Sequence, residues 1–282
     1  MKILIISLLA LSSFVVLADA PKGIYGEDNR VDVYASPNAS FREMAKSTAA
    51  MFEGGAIKKN FLSKFYDIKS GTLEDRGICK VERFSDQQTA SSCSGFLVSP
   101  TRIVTAGHCI KHQADCATYK WVFDYQMSAQ GGKIKIPENS VYDCKKLISR
   151  QKTTTNDFAL IELDRPVTDR LPLKLRQSGK VSVGDELVII GNPSGLPTKI
   201  ADGAKVRSVA PDFFVSNLDS YGGNSGSAVI NVKTEEVEGI LVRGGTDYER
   251  RGSGSCARSV LCGNDKCEGE SSTHIINVGL GI

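Results

Sequence analysis

From residue 79 onward the chain alternates short apolar runs with clusters of Gly, Pro, Asn, Asp and Ser. The runs include "SGFLVSP", "RIVTAG", "KWVFDY", "DFALIELD", "DELVIIGNP", "KVRSVA", "FFVSNL", "SAVINV", "VEGILVRGG" and "HIINVGL". Runs this short, rich in Val, Ile and Phe and bounded by turn residues, predict β-strands. Many strands with little helix predict an all-β sandwich or barrel. No long-period repeat is visible, which excludes a solenoid or propeller. "GLPTKIADGAK" (195–205) reads as a polar break, either a join between two halves or a long hairpin loop. Ahead of these runs, 19–76 is mixed and reads as an N-terminal arm or propeptide. Within it "SPNASFREMAKSTAAMF" (36–52) predicts an N-capped helix.

The opening "MKILIISLLALSSFVVLADA" places Lys2 before an apolar stretch that ends in small residues. That is the pattern of a secretory signal peptide, with cleavage expected after Ala18, so 1–18 is assigned to it. No later stretch is apolar enough to span a bilayer, so no membrane association is expected after cleavage. The expected residence is secreted or periplasmic. Export suits the eight cysteines, an even number that favours disulfides. Cys93 and Cys109 flank a predicted hairpin and are expected to pair. Cys116 and Cys144 flank "KWVFDY" and are candidates for a second bridge. Cys79, Cys256, Cys262 and Cys267 would then form two bridges of open connectivity. No C-x-x-C pair occurs and there are only three histidines, so neither a metal nor a cofactor is expected. A formal net charge of +3 without a long basic run argues against nucleic acid.

Candidate chemistry begins with "SYGGNSGSAV" (220–229), where glycines crowd around Ser225. Glycine there frees backbone N–H groups to hold a developing oxyanion, which makes Ser225 a candidate nucleophile. The lipase elbow G-x-S-x-G fails because Ser227 occupies its last position. A base is offered by His108, in "RIVTAGHC", and an orienting acid by Asp157, at the head of "DFALIELD". Asp164, at the far end of that run, reads as a turn residue, and Trp121 as core.

"TAGHC", "NDFALIEL" and "GGNSGSAV", in this order, resemble the three catalytic blocks of the chymotrypsin-like serine proteases. They are closer to the bacterial branch that includes glutamyl endopeptidases, and "IYGEDNRVDV" resembles that branch more loosely. The separations of 49 and 68 residues between His, Asp and Ser are compatible with it. The resemblance implies two packed six-stranded antiparallel β-barrels over 77–282, with their boundary near 165–180. It implies His108 as general base, Asp157 as its partner, Ser225 as nucleophile, and the N–H groups of Gly223 and Ser225 as oxyanion hole. Asn224 stands where animal relatives carry an aspartate that pairs with a freed N-terminus, so activation by that ion pair is not expected. Tyr221 stands in place of a pocket cysteine. Asp219 falls where trypsin-like members hold the aspartate that binds Arg or Lys, and Val242, Arg243 and Gly244 fall along the substrate pocket. Leu241 replaces the histidine of glutamyl specificity, while Arg243 keeps that specificity as an alternative. The expected partners are protein or peptide substrates of a monomeric serine endopeptidase. A binding module without proteolytic activity, and an esterase or acyl transferase, are the alternatives.

Overall fold

The computed structural model describes residues 23–252 and 254–280. The expected signal peptide lies outside the described residues. Twelve strands build two closed barrels. In the first, β1 (Thr48–Glu53), β2 (Ser91–Ser99), β3 (Arg102–Thr105), β4 (Tyr119–Val122), β5 (Val141–Lys152) and β6 (Asp157–Leu163) close in the order β1-β2-β3-β6-β5-β4, all antiparallel. The second contains β7 (Glu186–Gly191), β8 (Lys199–Val209), β9 (Phe213–Ser216), β10 (Ala228–Asn231), β11 (Val237–Arg243) and β12 (Glu270–His274). Its order, β7-β8-β9-β12-β11-β10, repeats that of the first, with Arg30–Asp32 added to the outside of β8. Closure removes the free sheet edges that would otherwise invite pairing with other chains.

The period of two decides which face each residue buries. In β7, Leu187 and Ile189 fill the second barrel with Phe214 and Leu241. Val188 and Ile190 turn instead to the larger core shared with the first barrel. In β1, Ala49 and Met51 point into that shared core, while Ala50 and Phe52 face outward. Ile57 and Ile136, from a small outer sheet of Ile57–Lys59, Phe65–Ile68 and Ile136–Pro137, cover that outer side. Burying a phenylalanine such as Phe52 completely contributes about 1.5–3 kcal/mol.

Several expectations need correction. The helix predicted over 36–52 is short: α1 covers Ala39–Ala45, capped by Asn38, whose side chain accepts from the Ser40 and Phe41 amides. The rest of the segment forms β1, because it is buried on both faces and takes the place between β2 and β4. A domain start at 77 is therefore too late, since the first barrel cannot close without 48–53. The segment 195–205 is not a loop; from Lys199 it forms the first half of β8. In "HIINVGL" the strand has already ended, and Ile275–Val278 is a 3-10 turn. The longest strand among the described residues, β5, has no counterpart among the predicted runs. The segment linking the barrels runs over 164–185.

Candidate active site

His108 sits in the turn that follows β3, and Asp157 opens β6, the neighbouring strand. Gly107 is required between them. A Cβ there would lie 2.3 Å from the Gln151 carbonyl oxygen and 2.7 Å from that of Phe158. Without a side chain the histidine turn lies flat against the mouth of the β5–β6 hairpin. The Asp157 carboxylate is fully buried and grips His108 twice. Oδ1 accepts the His108 backbone N–H at 3.0 Å, and Oδ2 meets the ring Nδ1 at 2.9 Å. A proton on Nδ1 bonded to a carboxylate leaves Nε2 with a lone pair, the state of a general base. Burial disfavours the charged carboxylate. Bonds from His108 and from Lys152 outweigh that and hold Asp157 below the usual carboxylate range.

Ser225 comes from the second barrel, in the loop before β10. Ser94 of β2 ties that loop to the first barrel: its amide donates to the Ser225 carbonyl at 2.8 Å and its hydroxyl to the Gly223 carbonyl at 2.8 Å. A disulfide joins Cys93 to Cys109, with Cα atoms 6.3 Å apart. The Cys109 sulfur lies 3.8 Å from the Ser225 carbonyl oxygen. The serine loop is thus seated against the residue next to His108.

Backbone amides in this loop divide cleanly. Those of Gly222, Asn224, Gly226 and Ser227 donate to Asp247 Oδ2 and to the carbonyls of Tyr221, Leu241 and Asn224. Among the described residues, the Gly223 and Ser225 amides have no acceptor. Gly223 (φ 96°) and Gly226 (φ 90°) bracket the serine in the left-handed region, where glycine alone is unstrained.

Beside Ser225 opens a cavity of about 280 Å³, lined in part by Ser220, Val242, Arg243, Gly244, Asp247 and Glu270. Its wall is acidic. Asp247 accepts the Gly222 amide at 2.7 Å, and burial pushes its carboxyl up to about 6. Glu270, buried beneath Gly244, accepts the Ser220 hydroxyl at 2.5 Å. The Arg243 guanidinium donates to the Thr154 carbonyl and stacks over the Phe213 ring, 5.6 Å from its centroid. A larger cavity of about 640 Å³, between 31–35 and 83–88, contains none of the three candidate residues.

Asp219 does not line the cavity beside Ser225, contrary to the sequence expectation. Its two oxygens accept the backbone amides of Tyr25 at 2.7 Å and Asn29 at 2.8 Å. Burial pushes its carboxyl up to about 6 against those two bonds. Asp219 therefore anchors the N-terminal segment to the loop that carries Ser225. Asn224 Oδ1 accepts from Ser227 Oγ at 3.2 Å. Tyr221 holds the pocket wall by packing. Its ring lies 4.3 Å from the buried Arg30 guanidinium and 4.9 Å from the Tyr248 ring, and its hydroxyl bonds Ser259. The remaining disulfides are Cys79–Cys256, Cys116–Cys144 and Cys262–Cys267.

Three residues of the site escape sequence reasoning: Lys152, Asp247 and Glu270. Lys152 carries one legible signal, its position just before the "TTTN" turn that precedes Asp157. Asp247 and Glu270 carry none.

With this fold and geometry, the chain belongs to the trypsin-like peptidase domain family, whose profile matches residues 93–240. A probable periplasmic serine protease, do/HhoA-like, from Haemophilus influenzae is 33% identical over 95 residues, 30% of this chain and 20% of that protein. The periplasmic serine endoprotease DegP of Salmonella typhimurium is 29% identical over 113 residues, 37% of this chain and 23% of that protein. The matches thus span about a fifth of the length of these relatives. Among solved structures, a Glu endopeptidase in complex with MPD superposes with a TM-score of 0.53 at 17% identity, covering 89% of this chain and 93% of that one. The shared fold is chymotrypsin-like.

Proposed function

We propose that the protein is an exported serine endopeptidase that cleaves peptide bonds through an acyl-enzyme. Ser225 Oγ attacks the scissile carbonyl while His108 Nε2 takes its proton. Asp157 holds the ring orientation and stabilises the imidazolium. The oxyanion that forms is met by the two unspent amides, Gly223 and Ser225. His108 then protonates the leaving amine, and water repeats the sequence to release the acid product. One observation carries this reading: a buried carboxylate grips the histidine, and the adjoining serine loop withholds only these two amides among 222–227. A plain binding module has no need of that division. Four disulfides and the leader-like opening support export.

The acidic cavity supports a basic side chain before the cut. Asp247 and Glu270 take the part expected of Asp219, and an Arg or Lys entering beside Ser225 would pair with them by charge-assisted bonds. Glutamyl specificity would require Arg243 to face an acidic side chain, and its guanidinium is engaged at Thr154. A phenylmethanesulfonyl fluoride label mapped by mass spectrometry tests the nucleophile. It should sit on Ser225 and be lost in His108→Ala; a label elsewhere refutes the reading. A peptide-library digest tests the pocket. Cuts after Arg or Lys, weakened by Asp247→Asn and untouched by Asp219→Ser, are expected, and cuts mainly after Glu reject it.

A further inference from the structure

The proposed acid of the triad serves two cations. Asp157 Oδ2 lies 2.9 Å from His108 Nδ1 and 2.8 Å from Lys152 Nζ. Strand register delivers that lysine. Lys152 ends β5 and Asp157 begins β6, and the two are directly opposed across the hairpin mouth. Opposed residues share one face with Cβ atoms about 4.5–5.5 Å apart, close enough for a lysine to reach the carboxylate. Arg150, two residues earlier and so on the same face, donates to the carbonyls of Gly107 at 2.6 Å and Ile110 at 2.9 Å, on either side of His108. One strand face thus clamps the histidine turn by its backbone and its partner carboxylate by charge.

We propose that Lys152 is a positioning residue of the triad: by sharing Asp157 Oδ2 with His108 it offsets the negative charge that favours the imidazolium, and so carries activity to lower pH. The inference rests on the triad reading above. Transfer of the Ser225 proton makes His108 cationic. Beside a bare carboxylate that cation is strongly favoured; beside a carboxylate already paired with an ammonium it is less so. Transfer of the serine proton then depends less on that bare charge, and the activity reaches further into acid. Other charged or titratable groups face the pair at one remove. Arg243 bonds the Thr154 carbonyl, Asp212 accepts from Thr155 Oγ1 at 2.7 Å, and His274 Nε2 meets the Ala210 carbonyl at 3.1 Å. Past the histidine turn, Asp115 accepts the His112 amide at 3.0 Å. Apart from His108, only Lys152 among the described residues puts a charge on the Asp157 carboxylate.

The test is the pH dependence of inactivation by phenylmethanesulfonyl fluoride, which needs no knowledge of the natural substrate. In that step the Ser225 Oγ–S bond forms, S–F breaks, fluoride leaves and the serine proton passes to His108. The acid limb of the rate profile should move up by about one pH unit in Lys152→Met, a shift at the low end for a neighbouring charge because the lysine is partly exposed. Lys152→Gln, which keeps a donor but no charge, should move it equally, and Lys152→Arg should overlay the wild type. Profiles of the Met and Gln variants that coincide with the wild type overturn the inference. Failure of the reagent to label Ser225 at all overturns the triad reading instead.

Discussion

Replacing Gly226 by alanine tests how tightly the serine loop is seated. A Cβ at this position would lie 2.0 Å from the Ser94 carbonyl oxygen and 2.3 Å from Thr105 Oγ1. Ordinary contact begins near 3.4 Å, so the loop must retreat by more than 1 Å. The neighbours are backbone and a buried threonine, which cannot swing aside. At φ 90° an alanine also meets left-handed strain of about 1–2 kcal/mol. Overpacking adds about 1–3 kcal/mol, for a loss of about 2–5 kcal/mol in all. Because the displaced residue adjoins Ser225, a shift on the order of 1 Å should also cost about 100-fold in rate. Urea unfolding measures the first effect and sulfonyl fluoride inactivation the second. Gly55→Ala, where a Cβ meets nothing within 4 Å, is the control and should change neither. Wild-type stability and rate in Gly226→Ala would refute the proposed seating of the loop on β2 and β3.

Removing the Cys93–Cys109 bridge as a double alanine variant should lower stability by about 3 kcal/mol, the loop-closure value for a span near 15 residues, and slow inactivation at Ser225. A variant with unchanged rate would show that the histidine turn does not depend on the bridge. Asp219 predicts a pH effect of definite sign. Its folded carboxyl binds a proton up to about 6, whereas the unfolded chain releases it near 3.9. The folded state holds more protons between those values, so this contribution is full below about 4 and is lost as pH rises through 6. Unfolding of wild type against Asp219→Asn at about pH 4 and about pH 7 should show that difference change by about 2 kcal/mol; a constant difference contradicts it. Glu270→Gln should lower kcat/KM for substrates with Arg or Lys before the cut by about 30-fold or more, as loss of one partner in a desolvated pair does. An unchanged preference would remove Glu270 from the pocket.

The three blocks that carry the proposed triad were legible because each is local. "TAGHC" and "GGNSGSAV" need glycine at fixed places, and the structure gives the reason at Gly107, Gly223 and Gly226. "DFALIEL" was legible as a strand because it is apolar almost throughout, and it is buried along its length. β5 was hidden for the opposite reason: beyond Cys144 most of its side chains face solvent, so its sequence is polar and charged. β1 was hidden by alanine and methionine, which read as helix until the barrel claims them. The pocket was misread at Asp219 because spacing from the serine fixes a residue's place in the loop and says nothing of which way its carboxylate turns. Here it turns to amides 194 and 190 residues earlier in the chain. Asp247 and Glu270 reach the cavity only through the closure of the second barrel and its flanking loop. No local pattern records that.

Nucleophilic catalysis by Ser225 is tested most directly by the rate at which Ser225→Ala hydrolyses the peptide that the wild type cleaves best. The variant deletes one oxygen from a half-buried position, so its unfolding midpoint should match the wild type. Its turnover should fall by a factor on the order of 10⁶, because the members of a cooperating triad act as one unit. A pure, folded Ser225→Ala protein that still cleaves at a rate close to the wild type would contradict the central claim.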